Sequence, residues 1–284
     1  MDMSFMTVLG EYFPLILLIL AIGSGLVVLM DQVFFKKARE EKILAETPDL
    51  NNSKIFSKKE RLEKLKGPFL IDYCRSLFPV FLIVFVLRSF IGEFYQIPSA
   101  SMIPNYLIGD YLYVNKFAYG FRFPIWGVKL IPVGTPKRGD VVIFSYPPDT
   151  RVDLIKRVVG LPGDHVSYIN KLLSINGVSV PTSLIANQIM ADDSETQAVQ
   201  VYQENLSGDV HGIINMPWAP THNFTNVIVP KGEYFVMGDN RDDSEDSRYW
   251  GFVQDKYLLG KPEMVIFSMG DQGVRWSRIG HLLN

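Results

Sequence analysis

The 284-residue chain is short of several things at once. It has one cysteine, Cys74, which excludes an internal disulfide and any zinc cluster built on cysteine. Its 28 Lys and Arg stand against 30 Asp and Glu, a formal net charge of −2. No basic stripe is therefore available to hold a nucleic-acid backbone, and no nucleic-acid partner is expected. Charged residues make up only 20% of the chain, against about a quarter in ordinary soluble domains. Common catalytic signatures are missing too. There is no G-x-S-x-G elbow, no H-E-x-x-H pair and no G-x-x-x-x-G-K-[ST] loop. The four histidines, His165, His211, His222 and His281, are scattered, and none adjoins a reactive-looking serine. A Ser-His-Asp triad assembled in space stays open. The acidic run DNRDDSED (Asp239 to Asp246) has Ser244 where a calcium loop needs its turn glycine, and it lacks the terminal glutamate. No metal site is expected.

What the chain has instead is apolar excess, with 48% hydrophobic residues and a mean hydropathy of +0.12. It is concentrated in two places. Phe13 to Met30 (FPLILLILAIGSGLVVLM) carries no charge and is long enough to cross a bilayer core of about 30 Å as a helix. It lacks the basic n-region of a cleaved signal peptide. Ser76 to Gly92 (SLFPVFLIVFVLRSFIG) is shorter and holds Arg88 near one end, where the side chain can snorkel to the headgroups. The second run also fits a buried or interfacial helix. Between the two, Asp31 to Arg75 contains eleven Lys and Arg against eight acidic residues. The positive-inside rule then makes that loop cytoplasmic and sends everything after Gly92 to the outer side. The expected organisation is an outer N-terminus and first span over 1–30, a cytoplasmic loop over 31–75, a second span over 76–92 and an outer domain over 93–284.

After Gly92 the pattern changes to short β-branched and aromatic stretches broken by Gly, Pro, Asn and Asp. DYLYVNKF (Asp110 to Phe117), DVVIFSYP (Asp140 to Pro147), LIKRVVG (Leu154 to Gly160), HVSYI (His165 to Ile169) and EYFVMG (Glu233 to Gly238) all have this form. They read as antiparallel strands, so the fold class is mainly β. Asn176-Gly177 is a two-residue hairpin signal. Residues 181–230 are polar with little periodicity and are expected as an insertion on the β core.

Three local sequences could carry chemistry. In QIPSASMIP (Gln96 to Pro104), two prolines bracket Ser99 and Ser101 just beyond the second run; the segment is either a rigid nucleophile loop or an ordinary turn. In DLIKRVVGLPGD, strand periodicity puts Lys156 on one face with Val152, Leu154 and Val158, and Asp153 and Arg157 on the other. A lysine on an apolar face loses hydration, which favours the neutral amine and so a base for a serine. In GDNRDDSEDSRYWG (Gly238 to Gly251), the alternating charges suit an Asp246–Arg248 or an Asp239–Arg241 pair bracing a turn, with Ser244 able to orient a neighbouring base.

Taken in order behind two apolar runs, PSASMIP, RGDVVIF (Arg138 to Phe144), IKRVVGLPGD and GDNRDDSEDSRYWG resemble the boxes of bacterial type I signal peptidase in its two-helix Gram-negative form. The resemblance implies an antiparallel β catalytic domain anchored in the inner membrane and facing the periplasm. It implies a monomeric endopeptidase that removes signal peptides from exported preproteins after A-x-A-like sequences. By position, Ser101 matches the family nucleophile, Lys156 the base, Ser99 an oxyanion-hole hydroxyl and Ser244 the serine that orients the lysine. Asp246 and Arg248 match a supporting ion pair. Substrate-binding positions fall on Tyr95, Ile97, Pro98, Met102, Tyr106, Leu112, Ile143, Leu154 and Ile155. No cofactor is needed, and the implied partners are signal peptides and the phospholipid bilayer. Asn105-Tyr106 departs from the family's usual Thr-Leu, and the bulk of Tyr106 bears on the P1 pocket. The aromatic stretch Phe117 to Trp126 is either core or a segment dipping into the outer leaflet. Two rivals remain: a Ser/Lys autoprotease of the SOS-repressor type, which would need a DNA-binding N-terminus, and a membrane-tethered binding or chaperone module without turnover.

Overall fold

In the computed structural model, the described residues are 3–48, 67–87, 92–122, 129–192 and 195–283. The chain divides into two compact units, Met1–Phe90 and Ile91–Asn284.

The first unit is helical. Helix α1 spans Met3–Met30 and runs through a π-helical turn, Asp31–Phe35, into α2, Lys36–Glu46; helix α3 spans Phe69–Val86. Leu15–Glu46 and Phe69–Val86 are long and apolar enough to cross a membrane, with mean hydropathies of 2.2 and 1.9. Their outer faces expose Ile19, Ile22, Leu26, Val80 and Ile83, the arrangement expected where lipid replaces water. Gly25 lets α3 come close, since a Cβ there would lie 2.9 Å from the Phe78 ring. Asp31 is buried at the end of α1 and receives Arg39 at 2.6 and 3.0 Å and Arg75 at 3.1 Å. Helix α3 starts seven residues before the expected Ser76, because Pro68 caps it and Asp72 and Arg75 pair one turn apart. Arg88 lies outside the described residues, and Gly92 begins a strand rather than ending a span.

The second unit is a set of antiparallel sheets, as the alternation predicts. The main sheet runs, in order, β1 (Gly92–Gln96), β2 (Asp110–Asn115), β16 (Leu258–Gly270), β5 (Val141–Ser145), β6 (Asp153–Gly160), β14 (Glu233–Met237) and β15 (Val253–Gln254), with β17 (Gly273–Val274) on β16. A second sheet orders β13 (Phe224–Ile228), β7 (His165–Ile169), β8 (Leu172–Ile175) and β9 (Val178–Ser179). The Asn176-Gly177 turn between β8 and β9 has φ of 53° and 79°, the left-handed pair that a type I′ hairpin requires. A two-stranded ribbon, β3 (Phe121–Arg122) with β4 (Lys129–Ile131), accounts for part of the aromatic stretch; Phe123 and Trp126 lie outside the described residues.

Most of the segment expected as a polar insertion forms a third sheet, β10 (Thr182–Asp192), β11 (Glu195–Leu206) and β12 (Asp209–Asn215), while its end supplies β13 to the second sheet. Its periodicity is hidden in the sequence because some of its inward residues are charged: Glu204 and His211 are as buried as Val199, Val201 and Ile213.

Strand β5 explains its own unbroken apolar run. Val141 and Ile143 pack into one core with Ile97, Met102 and Ile155, while Val142 and Phe144 pack into another with Val158 and Val236. Both faces of the main sheet are thus covered. The loop Ile97–Gly109 leaves β1 and returns to β2, its neck closed by Ile97 N–H to the Asp110 carbonyl at 2.8 Å and Gly109 N–H to the Ile97 carbonyl at 2.9 Å. The Asp110 carboxylate is fully buried and accepts the Leu107 N–H (2.8 Å), the Ser268 hydroxyl (2.7 Å) and the Arg278 guanidinium (2.6 Å). Removing one partner of a buried pair leaves the other uncompensated. Asp110→Ala is expected to cost about 3–5 kcal/mol, read as a lowered thermal unfolding midpoint in detergent.

Candidate active site

The Ile97–Gly109 loop carries a single 3₁₀ turn, Ala100–Met102, that turns Ser101 inward. Ser101 and Lys156 are 8% and 3% exposed, and Lys156 Nζ lies 2.6 Å from Ser101 Oγ. Ser99 Oγ stands 3.4 Å from Ser101 Oγ. Lys156 comes from the middle of β6, opposite Val142 of β5. It shares its face with Leu154 and Val158, both in the core that includes Phe144. The burial lowers the ammonium to about 8 from an ordinary 10.5; Asp246 and Asp239 pull the other way, and Arg248 adds to the lowering. A serine hydroxyl against an amine that is partly neutral near pH 8 can lose its proton to that amine.

The loop after β14 backs this pair. Gly238 ends the strand, where a Cβ would lie 2.2 Å from Ser244 Oγ and 2.6 Å from the Ser101 carbonyl oxygen; only glycine admits both. Asn240 donates its N–H to the Ser101 carbonyl at 3.0 Å and its side-chain amide to the Ala100 carbonyl at 3.3 Å. The expected Asp246–Arg248 pair is present: Asp246 caps the short helix α4 (Ser247–Trp250) and receives Arg248 Nε and Nη2, each at 2.8 Å, together with the Gly238 N–H at 2.9 Å. The alternative Asp239–Arg241 pair does not form. Asp239 instead receives Arg157 of β6 at 2.8 and 2.9 Å, and Arg241 crosses to Glu204 of β11.

A cleft of about 660 Å³ opens in front of Ser101 and Lys156, bordered by Ser99, Tyr146, Leu154, Ser244 and Tyr249, with acidic residues Asp149, Asp243 and Glu245 at its rim. Ser244 borders the cleft beside Lys156, but its buried hydroxyl has no hydrogen-bond partner among the described residues. Of the nine substrate-binding positions inferred from the resemblance, Leu154 lines this cleft. Ile97, Met102, Tyr106, Leu112, Ile143 and Ile155 form one buried cluster behind the serine loop. Tyr95 is half-buried against that cluster, with its hydroxyl 3.2 Å from Asp153, and Pro98 is exposed. Gly238, Asn240 and Arg157 were not singled out by sequence reasoning. The glycine closing a strand and the asparagine between two charged residues were the available signals.

A family model described as signal peptidase, peptidase S26, matches residues 70–267. The chain belongs to the type I signal peptidase family. Signal peptidase I of Pseudomonas aeruginosa is 41% identical over 94% of this chain and 98% of its own length. That of Pseudomonas fluorescens is 42% identical over 96% of each. A signal peptidase I crystal structure from Enterococcus faecalis, 30% identical, covers 45% of this chain and 96% of its own with a TM-score of 0.29. In this family member the two serines, the lysine and the last box converge in one cleft.

Folding with Lys156 stripped of water has a cost. Between pH 8 and 10.5 the unfolded chain holds a proton that the folded site releases, so stability from this group rises with pH across that window. At pH 7 the penalty is about 3 kcal/mol. Lys156→Met is therefore expected to raise the unfolding midpoint at pH 7 and to lose the wild-type gain in stability between pH 8 and 10.

Proposed function

We propose that the chain is a membrane-bound serine endopeptidase that removes signal peptides from exported preproteins, with Ser101 as nucleophile and Lys156 as general base. The observation that carries this reading is the buried 2.6 Å approach of Lys156 Nζ to Ser101 Oγ. The neutral amine takes the serine proton while Oγ attacks the carbonyl of the last residue of an A-x-A-like sequence. The developing oxyanion is held by the Ser101 N–H and the Ser99 hydroxyl, donors whose individual loss typically costs about 10²–10³ in rate. Lys156, now an ammonium, protonates the departing amine. The same lysine then activates the water that hydrolyses the acyl-enzyme. Asp246 and Arg248 support the loop behind the dyad, and Ser244 lines the same cleft as the base.

The substrate strand would add to open backbone edges, a β-augmentation mode. Strand β1 is an edge of the main sheet, and β14 pairs with β6 only along Arg157–Gly160, leaving Asp153–Ile155 open on that side. The Tyr95–Asp153 hydrogen bond ties these two edges together. The apolar side chains of Ile97, Met102, Tyr106, Leu112, Ile143 and Ile155 would back the P1 and P3 subsites and limit their depth, with Pro98 and Leu154 at the edges. Eleven Lys and Arg in Asp31–Arg75 favour a cytoplasmic loop between two spans and so a catalytic domain on the periplasmic side; the family resemblance adds a monomer in the inner membrane.

The test is cleavage of a secretory precursor by the full chain in detergent, beside Ser101→Ala and Lys156→Ala. Both variants are expected to lose essentially all processing; processing that survives Lys156→Ala would require another base. The pH profile gives a second test. With Lys156 at about 8, activity is expected to climb about tenfold per unit below pH 8 and to level off above about 9. A profile flat from pH 6 to 9 would exclude this lysine as the base.

A further inference from the structure

Ser101 is held from behind by Asn240, and Asn240 is itself gripped from the third sheet. Ile214 of β12 donates its N–H to the Asp239 carbonyl, and its own carbonyl accepts the Arg241 N–H, both at 2.9 Å. This parallel bridge brackets Asn240 on both sides. The Arg241 side chain, 1% exposed, then reaches Glu204 of β11, itself 1% exposed, through Nη1 at 2.8 Å and through Nη2. Arg241 Nε also donates to the Gly238 carbonyl at 3.2 Å, and its own carbonyl accepts Arg248 Nη2. His211 of β12 lies between Glu204 and Asp209, at 3.2 and 3.0 Å. Burial pushes the Glu204 carboxyl up, but Arg241 and His211 pull it down to about 2, so it stays an anion.

We propose that Glu204 is a positioning residue for the dyad: by anchoring Arg241 it fixes Asn240, and through Asn240 the carbonyl of Ser101. This rests on the reading of Ser101 as nucleophile. Glu204 does not border the cleft, so its charge does not touch substrate. It acts on where the serine stands relative to Lys156. Asn105, next to the serine turn, strengthens the same link. Its amide donates to the Gly212 carbonyl of β12 and to Asp239, each at 2.7 Å. The third sheet is thereby part of the catalytic apparatus rather than an appendage.

The test uses the full chain in detergent and a synthetic precursor peptide, with Glu204→Gln, Asn240→Ala and the double variant. A displaced nucleophile lowers turnover without weakening substrate binding. Glu204→Gln is expected to lower kcat about 10- to 100-fold with KM changed less than about threefold. Because both residues act on one contact, the double variant should lose little more than the worse single variant. Unchanged kcat, a rise in KM alone, or losses that multiply would overturn the proposal. If Glu204→Gln does not stay folded at the assay temperature, Glu204→Asp, which keeps the charge on a shorter arm, is read by the same criteria. Ser101→Ala in the same assay keeps the two readings apart. Activity there removes the nucleophile assignment itself, whereas a dead Ser101→Ala beside a normal Glu204→Gln removes only the positioning role.

Discussion

A lysine kept out of water against a serine hydroxyl has to be enclosed by structure that neither hydrates it nor drives a proton back onto it. Lys156 meets that constraint by lying in mid-strand rather than at a strand end. Its neighbours Leu154 and Val158 bury its own face, Ile155 buries the opposite one, and β5 lies alongside. Dehydration alone would take the ammonium further down; Asp246 and Asp239 offset part of it, and the balance falls near 8. The strain of that burial is offset by the rest of the domain, which is why a packed two-faced sheet is needed for a site with so few reacting groups.

The enclosing structure also has to hold the serine still. A serine on an exposed loop would sample many positions, and small displacements of a nucleophile are expensive in rate. Here the loop neck is closed through Ile97 and Asp110, and the turn is fixed from behind through Asn240. Arg157 makes the arrangement coherent. It adjoins Lys156 in β6 but points to the other face, where it binds Asp239, the residue before Asn240. One ion pair thus connects the strand carrying the lysine to the residue holding the serine.

Much of this was legible from the chain. The apolar runs gave the helices, the alternation gave the β class, and Asn176-Gly177 gave a hairpin turn. The face assignment at β6 followed from period two and set Lys156 apart from Arg157. Other parts were not legible, for one physical reason: the partner of a buried charge is chosen by the fold, not by sequence distance. Asp246 and Arg248 are two residues apart and pair, while Asp239 and Arg241 are equally close and do not, because each finds a better-placed partner 82 and 37 residues away. The same effect concealed the third sheet. Glu204 and His211 occupy inward positions that a hydrophobicity pattern expects to be apolar, so the strands read as a polar insertion with little periodicity. The start of α3 is hidden similarly, since Asp72 and Arg75 are tolerated in a helix start where they pair with each other and Arg75 also reaches Asp31.

The Asp246–Arg248 pair shows how a charge can be used for shape without being felt as charge. Asp246 accepts hydrogen bonds from Gly238, from the Arg248 backbone and from the Arg248 side chain, so it fixes the start of the loop that packs behind Ser101. A bare carboxylate at that distance would stabilise the Lys156 ammonium and weaken the base. Arg248 works against it, lowering the lysine where Asp246 raises it. The pair is a dipole rather than a net charge at Lys156, and its field falls off faster than that of either partner. A hydrogen-bonding anchor of this strength is therefore compatible with a deprotonated lysine only when the guanidinium comes with it. Asp239 is likewise paired, with Arg157. Both carboxylates that shape the site thus arrive with a guanidinium partner, and what they still add to the proton affinity of Lys156 is outweighed by burial, the largest influence on it.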